Sequence, residues 1–485
     1  MLYDLLAQSA SHFPGKPAIV DGGTAYSYDR LLALVGDWER RLQKEGFGPS
    51  ETVVMQLPNS VEWVAAFFAA ERMGATILPL DPSLKAPEVE LYCAHAGASA
   101  RLCQRAATPG LNEAGPHGGS RVPVEVMRMA ARPERPAAGA QRDQPAGQRP
   151  LLLFLSSGTT GLPKLVPKTT AQVAAQLRLC QVGLPRRETD VVLCVLPFFH
   201  TLGLLRILAV TLAEGAALVI EPFSPRGTAA TIERQRVSVF MGTPVMIRLL
   251  VETEFERLPD FSSLRIVASG GAALAPAVAR AFEDKFGVPV ESLYGSTESG
   301  PVACARPEDM VEEPGWVGRP YAGVTVEIWD SSGKPLGPGV PGEIAVRSAA
   351  SASSYLDDPD ASERTFQRGY VLPGDTGYLN KDGHLFLLAR KRPMINVAGE
   401  KVSPAEVEAC LLSHPCVAEA LVVADPAGSG TEWVKALVVP AAPVTVPELR
   451  EFCRLRLADF KVPRQIVLVK EIPRGPLGKP RFRAP

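Results

Sequence analysis

The run Leu151-Leu-Leu-Phe-Leu-Ser156-Ser157-Gly158-Thr159-Thr160-Gly161-Leu162-Pro163-Lys164 joins an apolar stretch to a loop of hydroxyls and glycines that closes on a lysine. Glycines let backbone N–H groups turn toward phosphate oxygens, hydroxyls add donors, and the lysine supplies a positive charge. The chemistry expected is phosphate binding. The common nucleotide loop needs Gly before the lysine and Ser or Thr after it, whereas Lys164 stands between Pro163 and Leu165. A kinase or P-loop ATPase is therefore disfavoured.

Further segments carry compatible chemistry. Ser269-Gly270-Gly271-Ala272 carries only small side chains, and Tyr294-Gly295-Ser296-Thr297-Glu298 offers an aromatic face, hydroxyls and a carboxylate. In Pro373-Gly-Asp375-Thr-Gly-Tyr378, an ionised Asp375 offers two acceptor oxygens. Leu196-Pro-Phe-Phe-His200-Thr201-Leu-Gly203 places one histidine in an apolar setting, and Pro473-Arg-Gly-Pro-Leu-Gly478-Lys479 puts a lysine near the end of the sequence.

These segments need a scaffold. Short apolar runs such as Val53 to Leu57, Val191 to Leu196, Val239 to Met241 and Ile266 to Ser269 alternate with helix-patterned stretches, predicting an α/β fold with largely parallel sheets. Helices are expected over Ser60 to Arg72, opened by a serine cap, and over Ala275 to Phe286, followed by Gly287. From Gln104 to Pro150 the residues shift to Ala, Pro, Gly, Arg and Gln, predicting a flexible surface insertion. Beyond about Asp330 the turn-rich pattern predicts a small antiparallel barrel or sheet, and from about Met394 a helix (Pro404 to Ser413) with strands (Ala418 to Val423, Val434 to Val439) predicts a small further domain.

The order SSGTTGLPK, followed by these segments in sequence, resembles the acyl-adenylate-forming superfamily of acyl- and aryl-CoA ligases, luciferases and adenylation domains. The resemblance runs from Tyr26-Ser-Tyr28 to Lys479, leaving out 104–150. It implies doubly wound sheets plus a small β-barrel in an N-terminal domain over 1–392, and a mobile α+β lid over 393–485. The implied reaction joins a carboxylic acid and Mg·ATP into an acyl-adenylate with loss of pyrophosphate. Transfer to a thiol, CoA by preference, then releases AMP.

The resemblance also implies roles. Ser156 to Gly161 and Lys164 would hold the phosphates, Gly270, Gly271 and Ala272 would lie against adenine, and Tyr294 with Gly295 and Ser296 would border it. Thr297 would bond the α-phosphate, Glu298 with Thr160 would hold Mg²⁺, and Asp375 and Arg390 would hold the ribose. Lys479 would sit between acid and α-phosphate, neutralising charge as the displacement proceeds. His200, Thr201, Leu205, Arg206, Met241, Ser269, Gly271 and Gly295 would line the acyl pocket.

Departures from the family pattern bear on the acceptor. Pro393 occupies the position about which the lid rotates, and proline restricts both its own φ and the residue before it. Asn396 stands where lysine is common and Ala398 where glycine is common. An acyl carrier protein or an amine are thus alternative acceptors, and an acyl-adenylate-binding protein is the non-enzymatic alternative. Amino-acid-activating members carry an Asp beside the aromatic of the Phe-Phe-His segment, where this chain has His200, so an aryl or fatty acid is expected. Arg206 either pairs with a second acidic or polar group of the substrate or faces outward from a helix.

Composition narrows the partners. At 485 residues the chain exceeds one compact core, and its net charge of −1 gives no support to a nucleic-acid or anionic-membrane partner. The eight cysteines lack CxxC or zinc spacing, and no secretory signal or membrane span is evident. A cytoplasmic enzyme, monomer or homodimer, is expected.

Overall fold

A computed structural model of the chain describes residues 2–104, 124–129, 149–156, 163–272, 274–306, 309, 311, 313, 315–390, 394–426 and 432–472, without the side chains of 389, 390 and 426. These residues form two compact units, one of Met1–Pro82, Ala96–Phe154 and Val166–Lys391, the other of Ser83–His95, Leu155–Leu165 and Arg392–Pro485.

The largest sheet orders its nine strands as Arg319–Pro320, Gly300–Ala305, Val290–Ser296, Ile266–Ser269, Val239–Gly242, Val191–Cys194, Ala217–Ile220, Pro17–Asp21 and Thr24–Ser27. The strands from Val290–Ser296 through Pro17–Asp21 pair parallel, with helices between them in sequence. Val239–Gly242 and Ile266–Ser269 are buried along their whole length, as parallel strands covered on both faces must be. A second sheet runs Val124–Arg128, Ala100–Gln104, Thr52–Gln56, Thr76–Pro79, Pro150–Ser156 and Lys164–Thr169.

The expected helices form. In Val61–Arg72 the Ser60 hydroxyl accepts from the Trp63 N–H at 3.2 Å, and every residue up to Glu71 is buried. Pro276–Phe286 ends at Gly287, whose φ of 72° requires glycine's freedom. Around and beyond Asp330 an antiparallel sheet pairs Thr325–Trp329 with Gly342–Arg347, Gly342–Arg347 with Asp375–Leu379, and Asp375–Leu379 with Leu385–Arg390.

One expectation differs. Within the stretch read as a flexible insertion, Val124–Arg128 pairs antiparallel with Ala100–Gln104. Arg128 fastens it: its guanidinium donates to the Glu45 carbonyl (2.8 Å), ion-pairs with Glu51 (2.8 Å) and lies over the Phe47 ring.

The unit that holds the C-terminal residues has its own core, with Val402, Val407, Leu411, Ala436, Val438 and Leu449 buried. Three strands, Val417–Pro426, Glu432–Pro440 and Gln465–Leu468, back the helices Pro404–Leu412 and Val446–Arg454. Ala86–Ala96 brings Glu88 and Tyr92 into this unit. Lys461 Nζ lies 2.7 Å from both Glu88 Oε1 and Glu406 Oε1, and the Tyr92 hydroxyl donates to Glu406 Oε1 at 3.0 Å. The three ionic side chains are 5–8% exposed.

Candidate active site

Chemistry-bearing segments gather at one edge of the large sheet. Leu196–Gly203 follows Val191–Cys194, Ser269 ends Ile266–Ser269, and Ser296 ends Val290–Ser296, so each leaves the carboxyl end of a parallel strand. Register places Met241 opposite Cys194 and Ala268, Gly242 opposite Ser269, and Ser269 opposite Ser292. In open α/β sheets this end is where ligands bind.

The Phe-Phe-His segment is clamped at both ends. Asn59 donates to the Leu196 carbonyl at 2.8 Å and accepts from the Phe198 N–H at 2.9 Å. At Gly203 a side chain would meet the Pro197 carbonyl oxygen at 2.1 Å, so only glycine fits. Phe198 is buried, while His200 is exposed with its ring 4.6 Å from that of Phe199. From Leu202 to Ala209 the chain winds as a π-helix, a rare form that is frequent at functional sites. Thr201 lies half-buried just before it, Leu205 is buried, and Arg206 is 5% exposed rather than facing outward.

Side-chain hydrogen bonds organise the neighbouring loop. The Tyr294 hydroxyl donates to Asp375 Oδ2 at 2.9 Å, and the Tyr355 hydroxyl donates to Glu298 Oε1 at 2.9 Å. The Glu298 carbonyl accepts from Lys168 Nζ (3.0 Å) and from the Ala352 N–H (2.8 Å), and Lys168 also donates to the Ala350 carbonyl at 2.7 Å. Lys168 is fully buried, and that burial brings its pKa down to about 7 against the pull of Glu298. Gly295 passes so close to Gly300 that a side chain would meet its carbonyl oxygen at 2.4 Å. Ser296 and Ser299 bond each other through their hydroxyls (2.9 Å), turning Thr297 and Glu298 between them.

The remaining expected residues are placed as follows. Gly270 is buried, Gly271 adopts φ 86° at an exposed turn and Ala272 is half-buried. The Ser269 hydroxyl is buried without a hydrogen-bond partner among the described residues. Asp375 pairs in register with Arg390 across the antiparallel sheet. Ser156 ends its strand buried, and Lys164 is buried at the start of Lys164–Thr169. Ser157, Gly158, Thr159, Thr160, Gly161, Pro393, Lys479 and the Arg390 side chain lie outside the described residues. Asn396 accepts from the Gly399 N–H at 2.9 Å in the hairpin of Ile395–Val397 and Glu400–Val402, where Ala398 has φ 54°.

Sequence reasoning missed Tyr355, Lys168, Arg186 and Tyr321. The signal for Lys168 was a lysine inside an otherwise strand-like run after Lys164; the others gave none.

This edge is that of an adenylate-forming ligase, and the chain belongs to the AMP-binding enzyme family, which matches residues 6–356, with the AMP-binding enzyme C-terminal domain matching 406–479. It is an AMP-forming ligase that activates a carboxylic acid. It is 30% identical to the Oxalate–CoA ligase of Arabidopsis thaliana over 99% of this chain and 96% of that protein. Among solved structures it is similar to the o-succinylbenzoate CoA synthetase MenE from Bacillus subtilis (TM-score 0.84, 27% identity, 98% of this chain and 96% of that one). It is also similar to the amide bond synthetase McbA from Marinactinospora thermotolerans (TM-score 0.83, 28% identity, 99% and 97%).

Proposed function

We propose that the chain converts a carboxylic acid other than an α-amino acid to its acyl-AMP and passes the acyl group to CoA. The observation that carries the nucleotide side is the joining of Tyr294 to Asp375 beside a Glu298 held at both its carboxylate and its carbonyl. Tyr294 presents its ring to adenine, Asp375 receives the ribose hydroxyls and Thr297 bonds the α-phosphate. Lys479 neutralises charge between the acid and that phosphate, and His200 borders the acyl group.

The donor set at Glu298 suits Mg²⁺. Among the described residues no group of three or more acidic, His or Cys side chains is present, and one carboxylate completed by phosphate oxygens and water is how Mg²⁺ is usually held beside ATP. With Thr160 as second ligand, the ion would offset phosphate charge. Tyr355 fixes the Glu298 carboxylate in place.

CoA as acceptor is supported by the names of the relatives. An amine acceptor is favoured by the likeness to an amide bond synthetase. Eight cysteines, all free thiols, support action in a reducing compartment such as the cytoplasm. Among the described residues no helix is long and apolar enough to cross a membrane.

Mass spectrometry of products from Mg·ATP and an acid pool, with and without CoA, tests the reading. Acyl-CoA plus AMP is the expected result; acyl-AMP that persists with CoA and yields to an added amine assigns an amide synthetase instead.

A further inference from the structure

Two buried guanidinium groups, those of Arg206 and Arg186, have no ion-paired carboxylate among the described residues. Arg206 donates to the Tyr321 hydroxyl at 3.2 Å and lies over the Tyr321 ring. Arg186, 4% exposed, donates to the Leu184 carbonyl at 2.7 Å and sets Nη2 3.7 Å from Met241 Sδ, while its Nε is buried with no partner. Arg206 is close enough to raise the cost of the charge on Arg186.

Among the described residues no carboxylate ion-pairs with either arginine. Asp190, the acid whose field reaches Arg186, is held by Arg265 and by the Ser238 hydroxyl. Glu291 accepts from the Cys304 thiol. The other polar neighbours stay neutral: burial raises Tyr321 and Cys180, and pushes Cys304 up to about 12. Arginine keeps its charge at any physiological pH. An uncompensated buried cation costs several kcal/mol, and two together cost more.

Arg206 belongs to the π-helical turn that begins just past His200 and Thr201, and Arg186 touches Met241. Such turns are frequent at functional sites. Two cationic groups, one with an N–H that has no partner among the described residues, therefore stand beside residues assigned to the acid.

We infer that Arg206, assisted by Arg186, determines specificity by binding a second anionic group of the substrate, so that the acid activated is a dicarboxylate or another doubly charged acid. This rests on the proposed acid-activating function. The far carboxylate supplies the missing counter-charge, and the near one is left to react with ATP. A mono-acid of equal length leaves the guanidinium groups uncompensated and binds more weakly.

The test is ATP–pyrophosphate exchange by the full chain with matched pairs of acids, succinate against butanoate and phthalate against benzoate. In the wild type the doubly charged member of at least one pair should exceed its partner at least tenfold in kcat/KM. Arg206→Met should abolish that preference chiefly through KM, and Arg206→Lys should restore part of it. Preference for the mono-acids in the wild type, which needs no variant to fold, would overturn the inference while leaving the ligase reading intact. An unchanged preference in a folded Arg206→Met would overturn it as well. Exchange with no acid at all would overturn the ligase reading itself.

Discussion

The Tyr294 hydroxyl reaches Asp375 Oδ2 at 2.9 Å, linking the last strand of the parallel run to the antiparallel sheet. A bond to an ionised acceptor contributes about 1.5–3 kcal/mol. Asp375→Ala, which removes both acceptors for the ribose, should raise the KM for ATP about 100-fold, and Tyr294→Phe, which only loosens the carboxylate, about tenfold. Steady-state pyrophosphate release against ATP concentration checks this; equal effects would show that Tyr294 does more than orient Asp375.

Glu298 should report metal binding separately from nucleotide binding. Residues that orient metal ligands typically change affinity about 10- to 100-fold when lost. Tyr355→Phe should shift the Mg²⁺ concentration for half-maximal activity upward by about tenfold and recover near-normal turnover at saturating Mg²⁺. Glu298→Gln should not recover. Mg²⁺ titration of the two variants distinguishes them.

Lys168 should leave a pH signature on stability. Its pKa falls from 10.5 unfolded to about 7 folded because burial penalises the charge. Between those values the unfolded chain binds more protons, so this group's contribution to stability rises with pH from about 7 toward 10.5. Urea unfolding at pH 7, 8 and 9 should show a steeper rise for the wild type than for Lys168→Met. Parallel curves would assign the dependence elsewhere.

Lys461 holds two buried carboxylates. Burial pushes Glu88 upward despite the lysine, so the cluster is acid-rich and Lys461 is the group it cannot lose. Lys461→Met should cost about 3–5 kcal/mol in unfolding free energy, since one cation leaves two acids uncompensated. Adding Glu88→Gln should recover part of this; additive losses in the double variant would contradict the coupling.

Ala398 adopts a left-handed φ of 54° that costs a non-glycine residue roughly 1 kcal/mol. Ala398→Gly should raise the denaturation midpoint unless greater freedom in the unfolded chain cancels the gain. Calorimetry decides.

What was legible in the sequence was local. The serine cap before Val61, the glycine after Phe286 and the doubly buried strands each follow from neighbouring residues, and the expected helices and strands form there. The loop of Thr297 and Glu298 was legible as a motif. Tyr355 and Lys168 were not, because they meet Glu298 from 57 and 130 residues away. Arg206 was readable as an outward residue only on the assumption of an ordinary helical turn; the π-helix and Tyr321, 115 residues on, turn it inward. Val124–Arg128 escaped because its place depends on backbone pairing and one arginine rather than on apolar composition.

That strand governs how the chain can be shortened. Removing 104–150 as a mere linker would leave Ala100–Gln104, with Leu102 fully buried, offering unpaired N–H and C=O groups to other molecules. Bare edges of this kind recruit strands from neighbouring chains. A trimmed protein that keeps 124–129 should stay dispersed, and one that loses it should aggregate with its catalytic residues untouched.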